Sequence, residues 1–477
     1  MTTSMRVEGT LWRDGAEHLR HQIADVSLMH GWVPPTVQVL ALVLLVCALG
    51  WRSRRWWMRR VPFAAGLGVG LAMWLHWYIT AAGLAGEPAP RALWGWIALT
   101  GLAGGIVVVG WRGVRRWRRA TAVLATLLCL LSSGLVLNAW VGYVPTVYSA
   151  WSQLTAGPLP DQTDRATVAA MRSRGEMPAK GVVVPVAISA ETSKFRHRGE
   201  LVYLPPAWFA SVPPPKLPVV MMVGAEINTP ADWLRVGGAA TAADAFAAAH
   251  GGVAPVLVFV DSGGAFGIDT ECVNGSRGNA ADHLTKEVVP YMVSNLGVSA
   301  DRANWGVAGF STGGTCAVDL TVMHPDLFSA FVDIAGDACP NVGTKEQTIS
   351  ALFGGNAAAW AAFDPATVIT RHGPYRGVSG WFVVAEAADR DANAGGQDVA
   401  AHSLCAIGGA HGIDCAVVAQ QGKHDWVFAA AAFAAALPWL AGQLDSPGVP
   451  HIPMPQPALT QVPTQAGSGS SLRAAGK

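Results

Sequence analysis

Charge is scarce in this 477-residue chain: Asp, Glu, Lys and Arg together make up only 14% of it. The 33 basic and 32 acidic side chains nearly cancel, leaving a net charge of +1. Nucleic-acid binding therefore has no electrostatic footprint here, and no polyanionic partner is implied. A mean hydropathy of +0.32 with so few charges is unusual for a wholly soluble protein and points to membrane segments. The length suggests two or three domains. More than half of the 20 Trp lie in the first 151 residues, and Trp favours membrane–water interfaces.

Four apolar runs fill the N-terminal third, at about 33–51, 61–86, 91–111 and 120–145. Each is long enough to cross a ~30 Å hydrocarbon core as a helix. The first starts too late, and the series is too long, for a cleaved signal peptide. The first connecting loop carries Arg52, Arg54, Arg55, Arg59 and Arg60, and the third carries Arg112, Arg115, Arg116, Arg118 and Arg119. The second, Gly86 to Arg91, has one basic residue. The excess of cytoplasmic Arg and Lys in multi-pass proteins predicts loops one and three inside, and everything after about 150 outside. Gly50-Trp51-Arg52-Ser53-Arg54-Arg55-Trp56 resembles Gly110-Trp111-Arg112-Gly113-Val114-Arg115-Arg116-Trp117, so the runs read as two similar hairpins. Within them only His76 is ionisable, with Asn138 as a polar companion; no transport pathway is visible, and the helices read chiefly as an anchor.

Residues 150–180 are polar and mixed. Strand-like runs then alternate with helical patterns. The runs fall near 182–189, 199–204, 218–223, 254–260, 304–309, 328–335, 379–385 and 413–419. The helical patterns fall near 231–249, 281–296, 314–323, 398–410 and 426–442. Alternation of this kind predicts a mostly parallel sheet covered on both faces, with the first two runs as an antiparallel hairpin at one edge. The Pro-, Gly-, Ser- and Gln-rich end reads as a disordered tail. The predicted layout is a membrane anchor over 1–150, a linker over 151–180, an α/β-hydrolase domain over 181–444 and a tail over 445–477.

Five cysteines, 272, 316, 339, 405 and 415, lie in the outer half, where disulfides are permitted. Cys405 and Cys415 form the best local pair. Cys272 and Cys339 form a second candidate pair, with Cys316 as a small buried residue. His402, Cys405, His411 and Cys415 could instead be read as zinc ligands, but their spacing matches no usual site. No metal or cofactor is expected.

The chemistry is carried by Gly309-Phe310-Ser311-Thr312-Gly313, which follows an apolar run and precedes a helical pattern. This is the setting of a nucleophile elbow, a tight turn that presents a strained serine and needs glycine two residues to either side. A serine hydroxyl is a poor nucleophile until an imidazole takes its proton. His424, in Gly422-Lys423-His424-Asp425-Trp426, has the right chain order, and the competing reading is a surface histidine. His283, His324, His372 and His411 are weaker candidates. The acid that orients the imidazole is expected in the loop after Trp381 to Ala385. There Asp389 is favoured over Asp391 and Glu386. The oxyanion hole needs backbone N–H groups: Thr312, after the nucleophile, and Ala225, on the loop after Val219 to Val223. Glu226 beside it either points outward or meets a cationic or hydroxylated acceptor.

The strings Gly309 to Gly314, His324-Pro325-Asp326-Leu327-Phe328, Gly422 to Trp426 and Pro230-Ala231-Asp232-Trp233 resemble the esterase D-type α/β-hydrolases. That group includes the S-formylglutathione hydrolases and the antigen 85 mycolyltransferases. The resemblance covers roughly 180–443. It implies ester hydrolysis, or acyl transfer to a sugar, through an acyl-serine. With the anchor, it implies a multi-pass plasma-membrane enzyme with its catalytic domain outside, acting on glycolipid esters of an actinobacterial envelope. Thr312 departs from the Met common after the nucleophile in that group, which leaves acyl-chain preference open. A general carboxylesterase, a peptidase on the same fold and a non-catalytic pseudo-hydrolase scaffold are the alternatives. The apolar loop from Gly263 to Ile268 is read either as an acyl-channel wall or as a packed loop.

Overall fold

The computed structural model describes residues 26–50, 53–82, 89–111, 115–155, 159–175, 177–226, 228–265, 267–386 and 396–455. Four apolar helices come first: α1 (Val33–Leu49), α2 (Val61–Ala82), α3 (Arg91–Gly110) and α4 (Arg116–Val141). Their outward faces carry exposed Val43, Phe63, Met73, Leu127 and Leu130, while Ala41, Ala64, Ala103, Ala125 and Cys129 are fully buried inside. An apolar exterior around a small-residue interior is what lipid as solvent selects. A side chain on Gly68 would lie 2.2 Å from the Ala98 carbonyl oxygen, and one on Gly101 would lie 2.7 Å from the Gly68 Cα, so α2 and α3 touch through their backbones. At ~1.5 Å per residue, even the 17-residue α1 approaches the thickness of the hydrocarbon core. Helix Trp426–Gln443 is also long and apolar. It lies inside the outer domain, with Phe433 and Leu440 fully buried, and belongs to that core. His76 stacks edge-on against Trp94 at 4.8 Å. Asn138 bonds to the backbone of Val144. The two polar residues serve different contacts.

Arg60 donates to the Val109 carbonyl, and Gly50 adjoins Arg118, so both arginine-bearing turns meet at one end of the bundle. The other end joins the C-terminal domain. There Ser27 pairs with Thr146, and Leu28 bonds to Pro145.

Among the described residues, eight strands form the main sheet of the C-terminal domain: β1 (Val182–Val186), β2 (Glu200–Leu204), β3 (Val219–Val223), β4 (Val256–Val260), β5 (Trp305–Phe310), β6 (Ala330–Ile334), β7 (Ser379–Glu386) and β8 (Asp414–Gln421). The spatial order is β1-β2-β4-β3-β5-β6-β7-β8. β1 and β2 run antiparallel at one edge, as expected, and β3 to β8 run parallel. β2 to β6 are buried along their whole length, which is why they read as unbroken apolar runs. Helices cover both faces, giving an α/β-hydrolase fold behind a four-helix membrane module.

Several local expectations change. The pattern at 231–249 is two helices, Asp232–Arg235 and Ala239–Ala249. The break falls at Gly237-Gly238: a side chain at 237 would collide with Trp233 and Trp426, and Gly238 has φ +57°. Helices Lys345–Phe353, Ala357–Ala361 and Pro365–His372 between β6 and β7 were not anticipated. The linker region contains helix Arg165–Arg174, capped by Asp164. Val449 and Met454, placed in the tail by sequence, pack against the core; residues 456–477 lie outside the described residues.

Cys405 and Cys415 are bonded, which removes the zinc reading. The expected Cys272–Cys339 pair is not formed. The loop after β4 folds back over the start of helix Thr312–Met323, so Cys272 is bonded to Cys316, at a Cα separation of 5.6 Å. Cys339 is the free thiol of the outer half, and burial beside Asp364, Asp319 and Asp337 pushes it up to about 12. Alkylation of denatured, unreduced protein should therefore modify Cys339 and spare 272, 316, 405 and 415 until a reductant is added. Peptide mass mapping that finds Cys316 alkylated without reductant would contradict this pairing.

Candidate active site

Ser311 stands between the end of β5 and helix Thr312–Met323 with φ +57° and ψ −123°. A non-glycine residue there costs on the order of 1–3 kcal/mol, and the surroundings must impose it. They do so through contact. A Cβ at Gly309 would fall 1.9 Å from the Gly313 carbonyl oxygen, and one at Gly313 would fall 2.3 Å from the Val223 oxygen. The Ser311 amide is tied to the Ile334 carbonyl of the neighbouring strand. The two glycines let helix, turn and β3 approach closely, and that approach lifts the hydroxyl out of the sheet.

His424 follows β8 and lies against the residue before Ser311, its ring 4.9 Å from that of Phe310. Its Nδ1 is shielded from solvent, and burial lowers its pKa to about 4. At neutral pH the imidazole is therefore uncharged and ready to accept a proton. Trp426 holds the loop in place, contacting Phe310 at 5.3 Å and Trp233 at 5.1 Å. Trp233 in turn donates to the Val223 carbonyl at the end of β3. One aromatic chain thus joins the His424 loop, β5 and the end of β3.

Thr312 and Ala225 line one small recess together with Arg198, Glu226, Asn228, Ser262 and Asp269. The loop after β4 supplies Gly263, Ala265 and Ile268 to the same wall, so it lines this recess; Phe266 lies outside the described residues. Glu226 turns into the recess rather than away from it. Its buried Oε1 has no hydrogen-bond partner among the described residues. Burial, aided by Asp269 and opposed by Arg277, raises its pKa to about 7. Arg198 grips Asp261 through its amide, Nε and Nη2, and also donates to the Asn228 carbonyl. This pair went unnoticed in the sequence, although an acid directly after a fully apolar strand was the available signal. Behind it, burial raises the carboxyl pKa of Asp269 despite its hydrogen bonds from Glu271, and burial with repulsion from Asp269 raises that of Glu271.

Of the three candidate acids, Glu386 is exposed at the end of β7, while Asp389 and Asp391 lie outside the described residues. The other histidines are occupied elsewhere. His372 stacks on Tyr375, His411 bonds to the Ile407 carbonyl, and His324 closes the helix after the elbow. His283 is buried between Glu200 and Glu287. His197, Glu200 and His283 are the described residues whose ligand atoms converge most closely, within 4.8 Å. The two imidazoles are stacked 4.1 Å apart at 25°. A metal must lie in the plane of each ring it binds, and nearly parallel rings leave no such point within bonding distance. The cluster is held together by protons: the two carboxylates raise the His283 pKa against its burial.

Residues 195–440 match the Esterase family. The chain belongs to that family. The esterase is also 30% identical to an uncharacterized protein of Corynebacterium glutamicum over 332 residues, covering 65% of this chain and 77% of that protein. Solved structures with a similar hydrolase half include an S-formylglutathione hydrolase from Agrobacterium tumefaciens, with a TM-score of 0.47 and 16% identity over 56% of this chain and 97% of that one. MPT51 (FbpC1) of Mycobacterium tuberculosis has a TM-score of 0.40 and 18% identity over 54% and 99%. A ferulic acid esterase has 0.44 and 18% over 55% and 99%. The esterase is a serine hydrolase of the α/β-hydrolase fold, carried on a helical membrane module.

Replacing Ser311 by Ala should leave the fold intact and lower ester hydrolysis on the order of 10⁴-fold or more, and His424→Ala should come close to that. Folded Ser311→Ala protein that retains a tenth of wild-type turnover would remove Ser311 from the role of nucleophile.

Proposed function

We propose that Ser311 is the nucleophile, His424 its base, Asp389 the orienting acid, and the amides of Thr312 and Ala225 the oxyanion hole. The Ser311 oxygen adds to an ester carbonyl as its proton passes to His424. The negative oxygen settles on the two amides, the C–O bond breaks, and His424 returns the proton to the departing alcohol. Water, or a sugar hydroxyl, deprotonated by the same histidine, then bonds to the acyl carbon, the bond to the Ser311 oxygen breaks, and His424 returns the proton to that oxygen. Asp391 and Glu386 are the alternative acids.

The substrate we propose is an acyl ester of a cell-envelope glycolipid, with transfer to a sugar as well as hydrolysis. The observation that carries this reading is the recess beside Ser311. Its walls offer Arg198, Glu226, Asn228 and Ser262, a mixture of donors and acceptors suited to a polyhydroxyl acceptor. A Glu226 carboxyl with a pKa near 7 both accepts and donates at neutral pH. Residues 1–150 form the anchor, 151–180 the connection and 181–444 the catalytic domain, with the tail beyond. The arginine turns lie at the end of the bundle remote from that domain. With those turns in the cytoplasm, the domain stands outside a plasma membrane.

The substrate test compares kcat/KM of the full-length protein for a glycolipid ester in liposomes with that for a soluble butyrate ester. The lipid-borne ester should be preferred, and labelled trehalose or glucose should gain acyl groups. Preference for the soluble ester with no transfer would leave a general esterase. For topology, a membrane-impermeant maleimide applied to intact cells should label Ser173→Cys but not Ser53→Cys, and the opposite result would reverse the orientation.

The acid has its own signature. Burial lowers the His424 pKa to about 4, and a neighbouring carboxylate opposes that by stabilising the cation. Asp389→Asn should therefore lower kcat and also move the acid limb of the pH profile to lower pH. A limb that stays in place, or moves equally for Asp391→Asn, would assign the role elsewhere.

A further inference from the structure

The end of α4 does more than attach the domain to the bundle. The helix terminates at Gly142, which has φ +69° and donates its amide to the Asn138 carbonyl. The Asn138 side chain then clasps the next turn from both sides: Nδ2 donates to the Val144 carbonyl at 2.8 Å, and Oδ1 accepts from the Val144 amide at 2.7 Å. This clasp holds Gly142 and Tyr143 in a fixed pose beyond the last turn of the helix.

Both residues face the catalytic loops. The Tyr143 hydroxyl donates to Asp232 Oδ1 at 2.7 Å. Asp232 is buried, and its other oxygen accepts from the Thr229 amide at 2.6 Å and the Thr229 hydroxyl at 3.0 Å. It thereby closes the turn between the Ala225 loop and Trp233, the residue bonded to the end of β3. Gly142 sits against the other loop. A Cβ there would come within 2.3 Å of the Asp425 Cβ, and Asp425 directly follows His424 and caps helix Trp426–Gln443 through the Phe428 amide. The Tyr143 ring packs against the core cluster that contains Phe310, Trp233 and Trp426.

We propose that Tyr143 and Gly142 are positioning residues for catalysis. Tyr143 sets the oxyanion loop through Asp232, and Gly142 backs the histidine loop through Asp425. The active geometry then includes the outer end of the fourth membrane helix, and turnover depends on how that helix is seated. The proposal rests on the Ser311–His424 reading and on Ala225 as an oxyanion donor. Oxyanion contacts strengthen as charge develops on the carbonyl oxygen, so a displaced donor lowers kcat more than it raises KM.

The decisive variant is Tyr143→Phe in full-length protein reconstituted in liposomes, assayed with p-nitrophenyl butyrate. It removes one hydroxyl and keeps the ring. The expected result is a fall in kcat of about tenfold, KM within about twofold of wild type, and a parallel fall in the rate of fluorophosphonate labelling of Ser311. Asp232→Asn should lower kcat similarly, and the double variant should be little worse than either single one, because both break one contact. Arg60→Gln, at the far end of the bundle, should match wild type. Unchanged kcat in folded Tyr143→Phe overturns the proposal, as does a fall that is fully additive with Asp232→Asn. Ser311→Ala run beside them separates the two readings: if it keeps its activity, the nucleophile assignment fails whatever Tyr143→Phe shows.

Discussion

The structure turns on the close approach of three backbones at Ser311. Gly309 and Gly313 allow the elbow to touch itself and the end of β3 at distances that no side chain tolerates. That contact forces the serine to positive φ and places the start of its helix beside the loop bearing Ala225. The rest of the domain supplies the force that keeps a strained residue strained. Five consecutive buried strands and two aromatic-rich layers hold β3, β5 and β6 in register, with Val223 opposite Gly309 and Phe310 opposite Ile334. Loosening any of these would let Ser311 relax and lower its hydroxyl toward the sheet.

The site is built around this point from opposite sides. Phe310, Trp426 and Trp233 form a chain of edge-to-face rings running from the nucleophile strand to the histidine loop and back to β3. Such pairs are worth about 0.5–1.5 kcal/mol each beyond their burial, and their directionality fixes loops that hydrogen bonds alone would leave free to pivot. The polar wall is arranged differently. Arg198 neutralises Asp261 and holds the Asn228 carbonyl, while the Glu226 Oε1 has no hydrogen bond among the described residues.

Most of the fold was legible because its elements are strongly periodic or fully buried. The eight strands match the apolar runs to within a few residues, and the membrane helices match the charge-free stretches. The turn at Ser311 was legible because such a turn imposes glycine two residues to either side, and chain order singled out His424 as the candidate base. The remainder depended on geometry that sequence does not encode locally. Cys272 and Cys316 meet because a long loop folds back, and no spacing rule announces this. The helices between β6 and β7 are short and weakly patterned. The acid could only be narrowed to a loop, since Glu386, Asp389 and Asp391 share the same chemistry within six positions. Asn138 was visible as a polar residue near the membrane, but its purpose depends on the turn that it clasps.

That turn also bears on how a lipid would reach the site. Gly142 and Tyr143, the first residues beyond α4, lie against Asp425, next to His424, and Asp232, in the turn after the Ala225 loop. Withdrawing an acyl chain from a bilayer costs about 0.8 kcal/mol for each methylene exposed to water. Ten methylenes therefore cost about 8 kcal/mol, comparable with the whole binding energy of a micromolar ligand. An enzyme on a long flexible tether must meet that cost through contacts of its own. One whose loops rest on the end of a membrane helix can work on an ester near the headgroups while most of the chain stays in lipid. For the glycolipid ester proposed as substrate, the short, clasped junction between α4 and the domain would keep the site near the headgroups, which a long flexible linker would not do.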